Sequence, residues 1–251
     1  RNRDRMIGNI NFAWKFTDWM TFRAMAGTDW SIEDITQRTA KGDIGAGDPE
    51  GGFDAYSNRR QEVNANARLE FVKSFGDIAF DAAVGAEYNH YDYKYHRTTV
   101  PDLIVPDLYS VSNSAAAATT GLSETHTELQ SVFGTVNFGF RNWLFLNLTG
   151  RNDWSSTLPV DNNSYFYPSA SLSWVVSDAL GFDSKVLSFL KLRASYAEVG
   201  GTAGAYDLNG VYSAGDPYNG NPSLGYTSTI PPLGLKPQRK RSKEAGLEVR
   251  F

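Results

Sequence analysis

The sequence predicts an all-β chain, an antiparallel segment of a transmembrane β-barrel. Three observations lead there: strict apolar–polar alternation, strands longer than globular ones, and short connections that alternate with long ones. Alternation comes first, because side chains on a strand point to opposite faces with a period of two. Ile10, Phe12, Trp14 and Phe16 alternate with Asn9, Asn11, Ala13 and Lys15. Met20, Phe22, Ala24 and Ala26 alternate with Thr21, Arg23 and Met25. Val63, Ala65, Ala67, Leu69 and Phe71 oppose Glu62, Asn64, Asn66, Arg68 and Glu70. Phe80, Ala82, Val84, Ala86 and Tyr88 oppose Asp81, Ala83, Gly85, Glu87 and Asn89.

The second half repeats the pattern. Val132, Gly134, Val136 and Phe138 oppose Phe133, Thr135 and Asn137. Leu144, Leu146 and Leu148 oppose Asn147, Thr149, Arg151 and Asp153. Ala170, Leu172 and Trp174 oppose Ser169, Ser171 and Ser173, with Pro168 marking a bulge or the strand's outer end. Leu192, Ala194 and Tyr196 oppose Lys191, Arg193 and Ser195. Ala245, Leu247, Val249 and Phe251 oppose Glu244, Gly246, Glu248 and Arg250. This makes about nine strands, and the only helical candidate lies within Ser177 to Phe189.

Thr17-Asp18, Ser74 to Asp77 and Arg141-Asn142 read as tight turns. Trp30 to Tyr56, His96 to Glu124, Ser155 to Ser164 and Gly200 to Ser242 read as long loops. Compact soluble domains rarely hold several such loops. Outer-membrane barrels do, with short turns in the periplasm and long loops outside. Several strands match or exceed the ~9–11 residues that cross a bilayer at a tilt. Trp14, Phe16, Trp19, Phe140, Trp143, Phe166 and Trp174 fall near strand ends, as in an aromatic girdle. A soluble antiparallel sandwich shows the same alternation, and a carbohydrate-binding all-β module is the alternative reading.

Composition narrows the function. The 251 residues carry 24 Lys+Arg against 28 Asp+Glu, a net charge of -4. A pI near 5.4 argues against nucleic acid as a partner. The absence of Cys removes thiol catalysis, iron–sulfur clusters and Cys-ligated zinc. Mean hydropathy of -0.39 suits a soluble protein, but equally a barrel whose strands are half polar. His90, His96 and His126 lack metal-ligand spacing. Gly200, Gly201 and Gly204 have no βαβ context for a dinucleotide. Ser155 and Ser156 lack a nucleophile elbow. No catalytic residue, cofactor or metal is expected.

The text from Leu148 to Pro159 reads L-T-G-R-N-D-W-S-S-T-L-P, and Tyr165 to Trp174 reads Y-F-Y-P-S-A-S-L-S-W. L-K-L-R-A-S-Y-A-E-V-G-G follows at Leu190, then G-L-K-P-Q-R-K-R-S-K-E-A-G-L-E-V-R-F at Gly234. With W-M-T-F-R-A-M-A-G, V-G-A-E-Y and S-V-F-G-T-V-N-F upstream, the chain resembles the C-terminal barrel portion of SusC/RagA-like TonB-dependent outer-membrane transporters. That resemblance implies a barrel of about 22 strands with an N-terminal plug. It implies import of bulky nutrients, oligosaccharides or peptides, powered through the TonB complex and capped by a SusD-like lipoprotein lid. It implies the outer membrane of a Gram-negative bacterium, with outer-membrane lipid around the strands. No plug or TonB-box pattern is present, so residues 1–251 are expected to be one partial barrel domain of a longer polypeptide, not transporting alone.

Candidate substrate-path residues are Arg151, Asp153 and Trp154, at a strand end beside a Ser-Ser turn. The competing reading for Arg151 and Asp153 is an ion-pair network that fixes the barrel wall. Trp30, Tyr206, Tyr212 and Tyr218, with Tyr56, Tyr109 and Tyr226, offer rings that stack on sugars or pack within the loops. Tyr88, Tyr91, Tyr93 and Tyr95 read as rim packing. Asp43, Asp48, Glu50 and Asp54 lack calcium-loop spacing and read as a solvated acidic loop. Lys236, Arg239, Lys240, Arg241 and Lys243 form a basic cluster, either a solvated rim or a contact for anionic lipid head groups.

Overall fold

A computed structural model describes residues 1–43, 45, 49–181, 186–232 and 234–251. Nine strands form one sheet in the order β1-β2-β3-β4-β5-β6-β7-β8-β11. They are β1 (Asn2–Thr17), β2 (Met20–Thr39), β3 (Gly52–Phe75), β4 (Ile78–Pro101), β5 (Thr119–Phe140), β6 (Leu144–Ser155), β7 (Ser164–Val175), β8 (Phe189–Gly201) and β11 (Gln238–Arg250). A separate hairpin joins β9 (Tyr212–Tyr218) to β10 (Asn221–Tyr226). The up-and-down meander is what chain-adjacent antiparallel strands with tight turns produce.

The residues fall into two compact units. One holds residues 1–10, 26–64 and 89–127, and the other holds 11–25, 65–88 and 128–251. In the second unit, each short turn has its own cause. Arg141 and Asn142 take φ of 46° and 61°, the left-handed pair that matches strand twist in a tight hairpin. Gly76 takes φ 58° between β3 and β4. After β7, the helix α1 (Val176–Leu180) stops at Gly181 with φ 59°. The short helical candidate expected within Ser177 to Phe189 is this α1, whose last residues fall there; residues 182–185 lie outside the described ones.

Register fixes the faces. Leu146 pairs with Phe138 on β5 and Leu172 on β7, and Leu172 pairs with Ala194. Ala194 pairs in turn with Ala245 on β11. One residue along, Asn147 pairs with Asn137 and Ser171, and Ser171 with Ser195. One face is therefore apolar across five strands and the other polar. The apolar face is not buried within the chain: Val132, Phe138, Leu148, Leu172, Leu192 and Leu247 are all exposed. A sheet with a polar face behind and a continuous, exposed apolar face in front matches a lipid-facing wall.

Three loop expectations are corrected. Trp30 to Tyr56 is mostly strand, since β2 continues to Thr39 and β3 starts at Gly52. His96 to Glu124 likewise loses its ends to β4 and β5. The reason is that apolar–polar alternation ends with the bilayer while backbone pairing continues into water. Polar residues on both faces conceal strands from a pattern reading. Cross-strand charges hold these extensions: Arg1 on Glu33 at 2.6 Å, Arg97 on Asp54 at 3.0 Å and Lys94 on Glu124 at 3.1 Å. Gly200 to Ser242 contains the β9–β10 hairpin, and β11 begins inside it at Gln238.

The connection between β4 and β5 has an internal core. Leu103 and Val100 are fully buried. Asn113 accepts from the Val105 N–H at 3.0 Å and donates to the Val105 and Leu108 carbonyls at 2.8 and 2.7 Å. One side-chain amide thereby satisfies three backbone groups that the turn leaves unpaired. Pro168 makes no bulge against β6, where Gly150↔Pro168 continues the register. The β7–β8 ladder, however, runs from Ser169↔Ala197 to Val175↔Lys191, starting beside the proline that lacks an N–H.

Candidate functional site

The polar face of the second unit carries its most buried charge. Alternation along β6 puts Arg151 and Asp153 on that face. Arg151 Nε donates to Asp153 Oδ1 at 2.7 Å, Nη1 to Glu87 Oε2 at 2.7 Å, and Nη2 to Ser131 Oγ at 2.8 Å. The Tyr167 hydroxyl donates to Asp153 Oδ2 at 2.6 Å. Asp153 is only 4% exposed and Ser131 3%. Four strands thus meet in one charge-assisted network: Glu87 from β4, Ser131 from β5, Arg151 and Asp153 from β6, Tyr167 from β7. Arg supplies this junction because its planar fork serves several acceptors at once.

Small residues make room for large ones on the same face. A Cβ at Gly85 would sit 2.7 Å from the Phe133 ring and 2.7 Å from the Ala67 carbonyl oxygen. A Cβ at Gly200 would fall inside the ring of Tyr165, which is 5% exposed and stacks on Tyr167 with centroids 5.9 Å apart. Toward the short turns, polar atoms continue as a row of amides and hydroxyls. Asn137 bonds Asp81 at 3.4 Å, Asn147 bonds Asn137, and Thr149 and Ser169 lie 2.6 Å apart. This lane has donors and acceptors in place. Ser155 is bonded to Thr157 at 2.9 Å, and Ser156 Oγ accepts the Glu128 N–H at 2.8 Å.

The sequence candidates separate in space. Arg151 and Asp153 touch. Trp154, one residue on, projects from the opposite face beside Glu128, Gln130 and Asn163, outside the polar lane. Tyr212 and Tyr226 face each other across the β9–β10 hairpin at 5.0 Å. Tyr218 at its tip is 77% exposed, and Tyr206 precedes the hairpin with φ 65°. Sequence reasoning missed Glu87, Ser131, Tyr165 and Tyr167 as partners of Arg151 and Asp153. A signal existed, since Tyr165 and Tyr167 share parity with Ser169, Ser171 and Ser173, but the register that joins them is not local.

In the first unit, Trp30 lies half-buried on β2, not in a loop. Tyr109 stacks under Arg38 at 5.0 Å and meets Phe53 edge-on at 6.3 Å. Tyr56 lies 6.0 Å from Tyr95 and under Arg97 at 5.2 Å. The Arg97 guanidinium, helped by Thr99, holds the Asp54 carboxyl below its usual range against the opposing effect of burial. Glu50 pairs with Lys41 at 3.0 Å, and Asp43 caps the Gly45 N–H. Asp48 lies outside the described residues. Among the described residues no group of three or more His, Asp and Glu is placed to hold a metal. His90 and His126 both reach Asp92, and His126 also meets Glu124 at 3.4 Å.

A sheet lipophilic on one face and hydrogen-bonding on the other is the wall of a transmembrane β-barrel. A family model described as TonB dependent receptor-like, beta-barrel, matches residues 1–251, and the chain belongs to that family. Its strands therefore lie in the outer membrane of a Gram-negative bacterium, with short periplasmic turns and long extracellular connections. The chain is 27% identical to the TonB-dependent receptor SusC of Bacteroides thetaiotaomicron over 202 residues, 79% of this chain and 20% of that protein. It is 40% identical to TonB-dependent receptor P26 of Formosa agariphila over 78 residues, 30% of this chain and 8% of that one. The RagAB peptide transporter structure superposes with a TM-score of 0.82 at 19% identity, over 98% of this chain and 29% of that chain. The siderophore receptor PiuA from Acinetobacter baumannii gives 0.57 at 15% identity, over 99% of this chain and 38% of that chain. The sequence thus spans about a fifth of SusC and under a third of the RagAB chain.

Proposed function

We propose that these residues form part of the wall of an outer-membrane importer for bulky nutrients, oligosaccharides or peptides. The observation that carries this reading is the polar lane on one face of the sheet, backed by a continuous apolar face. Such a lane offers hydrogen bonds to a hydrated cargo, as the wall of a conduit does. Residues 1–251 belong to a single barrel domain that a plug elsewhere in the polypeptide fills. Movement of that plug by the TonB complex opens the passage, and a SusD-like lipoprotein lid retains cargo above it.

Within this reading Arg151 and Asp153 brace the wall beside the path. Tyr206, Tyr212, Tyr218 and Trp30 offer ring faces to sugar C–H groups. Trp154 belongs to the outer face and leaves the path. The exposed Tyr212 and Tyr218 favour a glycan, and the RagAB likeness keeps peptides in the test.

The test is uptake by cells carrying the full-length protein and its neighbouring lipoprotein. Fluorescent oligosaccharides and oligopeptides are offered to strains with and without TonB. Accumulation of one class with TonB, and surface binding alone without it, is the expected result. Equal accumulation in both strains overturns active import, and accumulation of neither class overturns the cargo assignment.

A further inference from the structure

We infer that the outer face of β8 and β11 holds a binding site for the phosphate of an outer-leaflet lipid. Arg239, Arg241 and Lys243 share a face with Ala245, Leu247 and Val249, the lipid-facing one. Register carries the same face onto β8, where Ala194 lies opposite Ala245, Tyr196 opposite Lys243 and Glu198 opposite Arg241. The apolar strip therefore gives way, at the end remote from the periplasmic turns, to three cations against one carboxylate.

That carboxylate is already satisfied. Glu198 accepts from the Tyr196 hydroxyl and from Arg241 Nε at 2.9 Å, and Arg239 Nη1 lies 3.4 Å away. Its side chain is 9% exposed, while those of Arg239 and Arg241 are 50% and 64% exposed. Glu198 thus orients two guanidiniums without covering them, and both keep N–H donors turned outward. Lys243, also exposed, stands one step nearer the apolar strip. A guanidinium pair and an ammonium directly above lipid-facing aliphatic side chains match an anionic head group above its acyl chains. The other cations of β11 do not join them, since Lys240 and Arg250 have the opposite parity. The outward acid Glu128 belongs to β5, three sheet positions from β8.

The experiment uses the full-length transporter in mild detergent. It is titrated with a phosphorylated outer-leaflet glycolipid and with the same glycolipid after enzymatic dephosphorylation, and bound lipid is read by native mass spectrometry. Each cation beside an anionic surface is worth about fivefold in affinity. Wild type should bind the phosphorylated form, R239Q/R241Q at least about tenfold more weakly, and R239K/R241K nearly as well as wild type. Lys191→Gln, on the polar face, should change nothing. Equal binding by R239Q/R241Q, or of the dephosphorylated lipid, overturns the site. Displacement by excess inorganic phosphate would show a free-anion site instead and also overturns it. If R239Q/R241Q fails to assemble, Lys243→Gln decides, because it leaves Glu198 and its partners intact; undiminished binding there overturns the proposal.

Discussion

Arg151 shows how much one side chain fixes when its partners come from four strands. Removing it takes the guanidinium from the buried Asp153 side chain and leaves it the Tyr165 and Tyr167 hydroxyls. Breaking a buried pair from one side costs about 3–5 kcal/mol. Glu87 and Arg151 keep partial solvent contact, with side-chain exposures of 36% and 29%, so the low end applies. Arg151→Met should lower the unfolding free energy of the full-length barrel by about 3 kcal/mol, measured by urea titration in lipid vesicles. A loss under about 1 kcal/mol would reduce the network to a surface pair. His126 acts through pH. Asp92 foremost, then Glu124, stabilises its protonated ring and raises it above its ordinary value near 6.5, against the effect of desolvation. The folded strand ends therefore bind a proton more tightly than the unfolded ones. Their added stability is complete below pH 6.5 and is lost as pH climbs through the raised value. Hydrogen exchange over residues 89–97 and 119–127, corrected for intrinsic rates, should show protection falling across that window, and His126→Gln should flatten the profile. Protection that rises with pH would contradict the assignment.

At the scale of one strand, β6 states the whole design in a dozen residues. Leu144, Leu146 and Leu148 face lipid, while Asn147, Thr149 and Arg151 face the polar lane. Leu146→Arg puts a cation in the lipid-facing row between Phe138 and Leu172. Near mid-membrane this costs about 2–4 kcal/mol. Heat-modifiable gel mobility of the membrane fraction should show less assembled barrel than wild type; equal amounts would mean that Leu146 does not meet lipid. Such a strand is legible in sequence because burial on one side and water on the other impose the period of two. β2 beyond Ala26 and β3 before Glu62 were not legible as strands, because polar residues stand on both faces there and the period carries no hydrophobic signal. Cross-strand charges such as Arg97 on Asp54 mark them, and that pair joins residues 43 apart in the chain. The β9–β10 hairpin stayed hidden for a related reason. Its strands are short and Gly- and Pro-bearing, and Tyr212 against Tyr226 becomes a pair only once the turn at Asn219-Gly220, with φ of 50° and 75°, is in place. For the site, Arg151 and Asp153 were visible as neighbours of equal parity, whereas Glu87 lies 64 residues away and needed the sheet order.

For the molecule as a whole, the sheet order has a consequence that its faces sharpen. Among the described residues β1 and β11 each have a strand neighbour on one side, so each is an edge of the sheet. In lipid no water satisfies an edge's backbone groups, and closure by further strands is the only remedy. In water the same segment presents Ile10, Phe12, Trp14, Phe16, Leu172, Leu192 and Leu247 as exposed apolar surface. Monomeric soluble proteins do not carry contiguous apolar faces of that extent. Residues 1–251 produced alone should therefore not yield a soluble monomer. Size-exclusion chromatography without detergent should place the material in large β-rich assemblies, and detergent should disperse it without restoring a single stable species. The full-length polypeptide in the same detergent should elute as one folded species. A detergent-free monomer of 27.7 kDa with an intact β-sheet spectrum would show that the apolar face is covered by the chain itself. That result would remove the lipid-facing wall on which the import reading and the lipid site both stand.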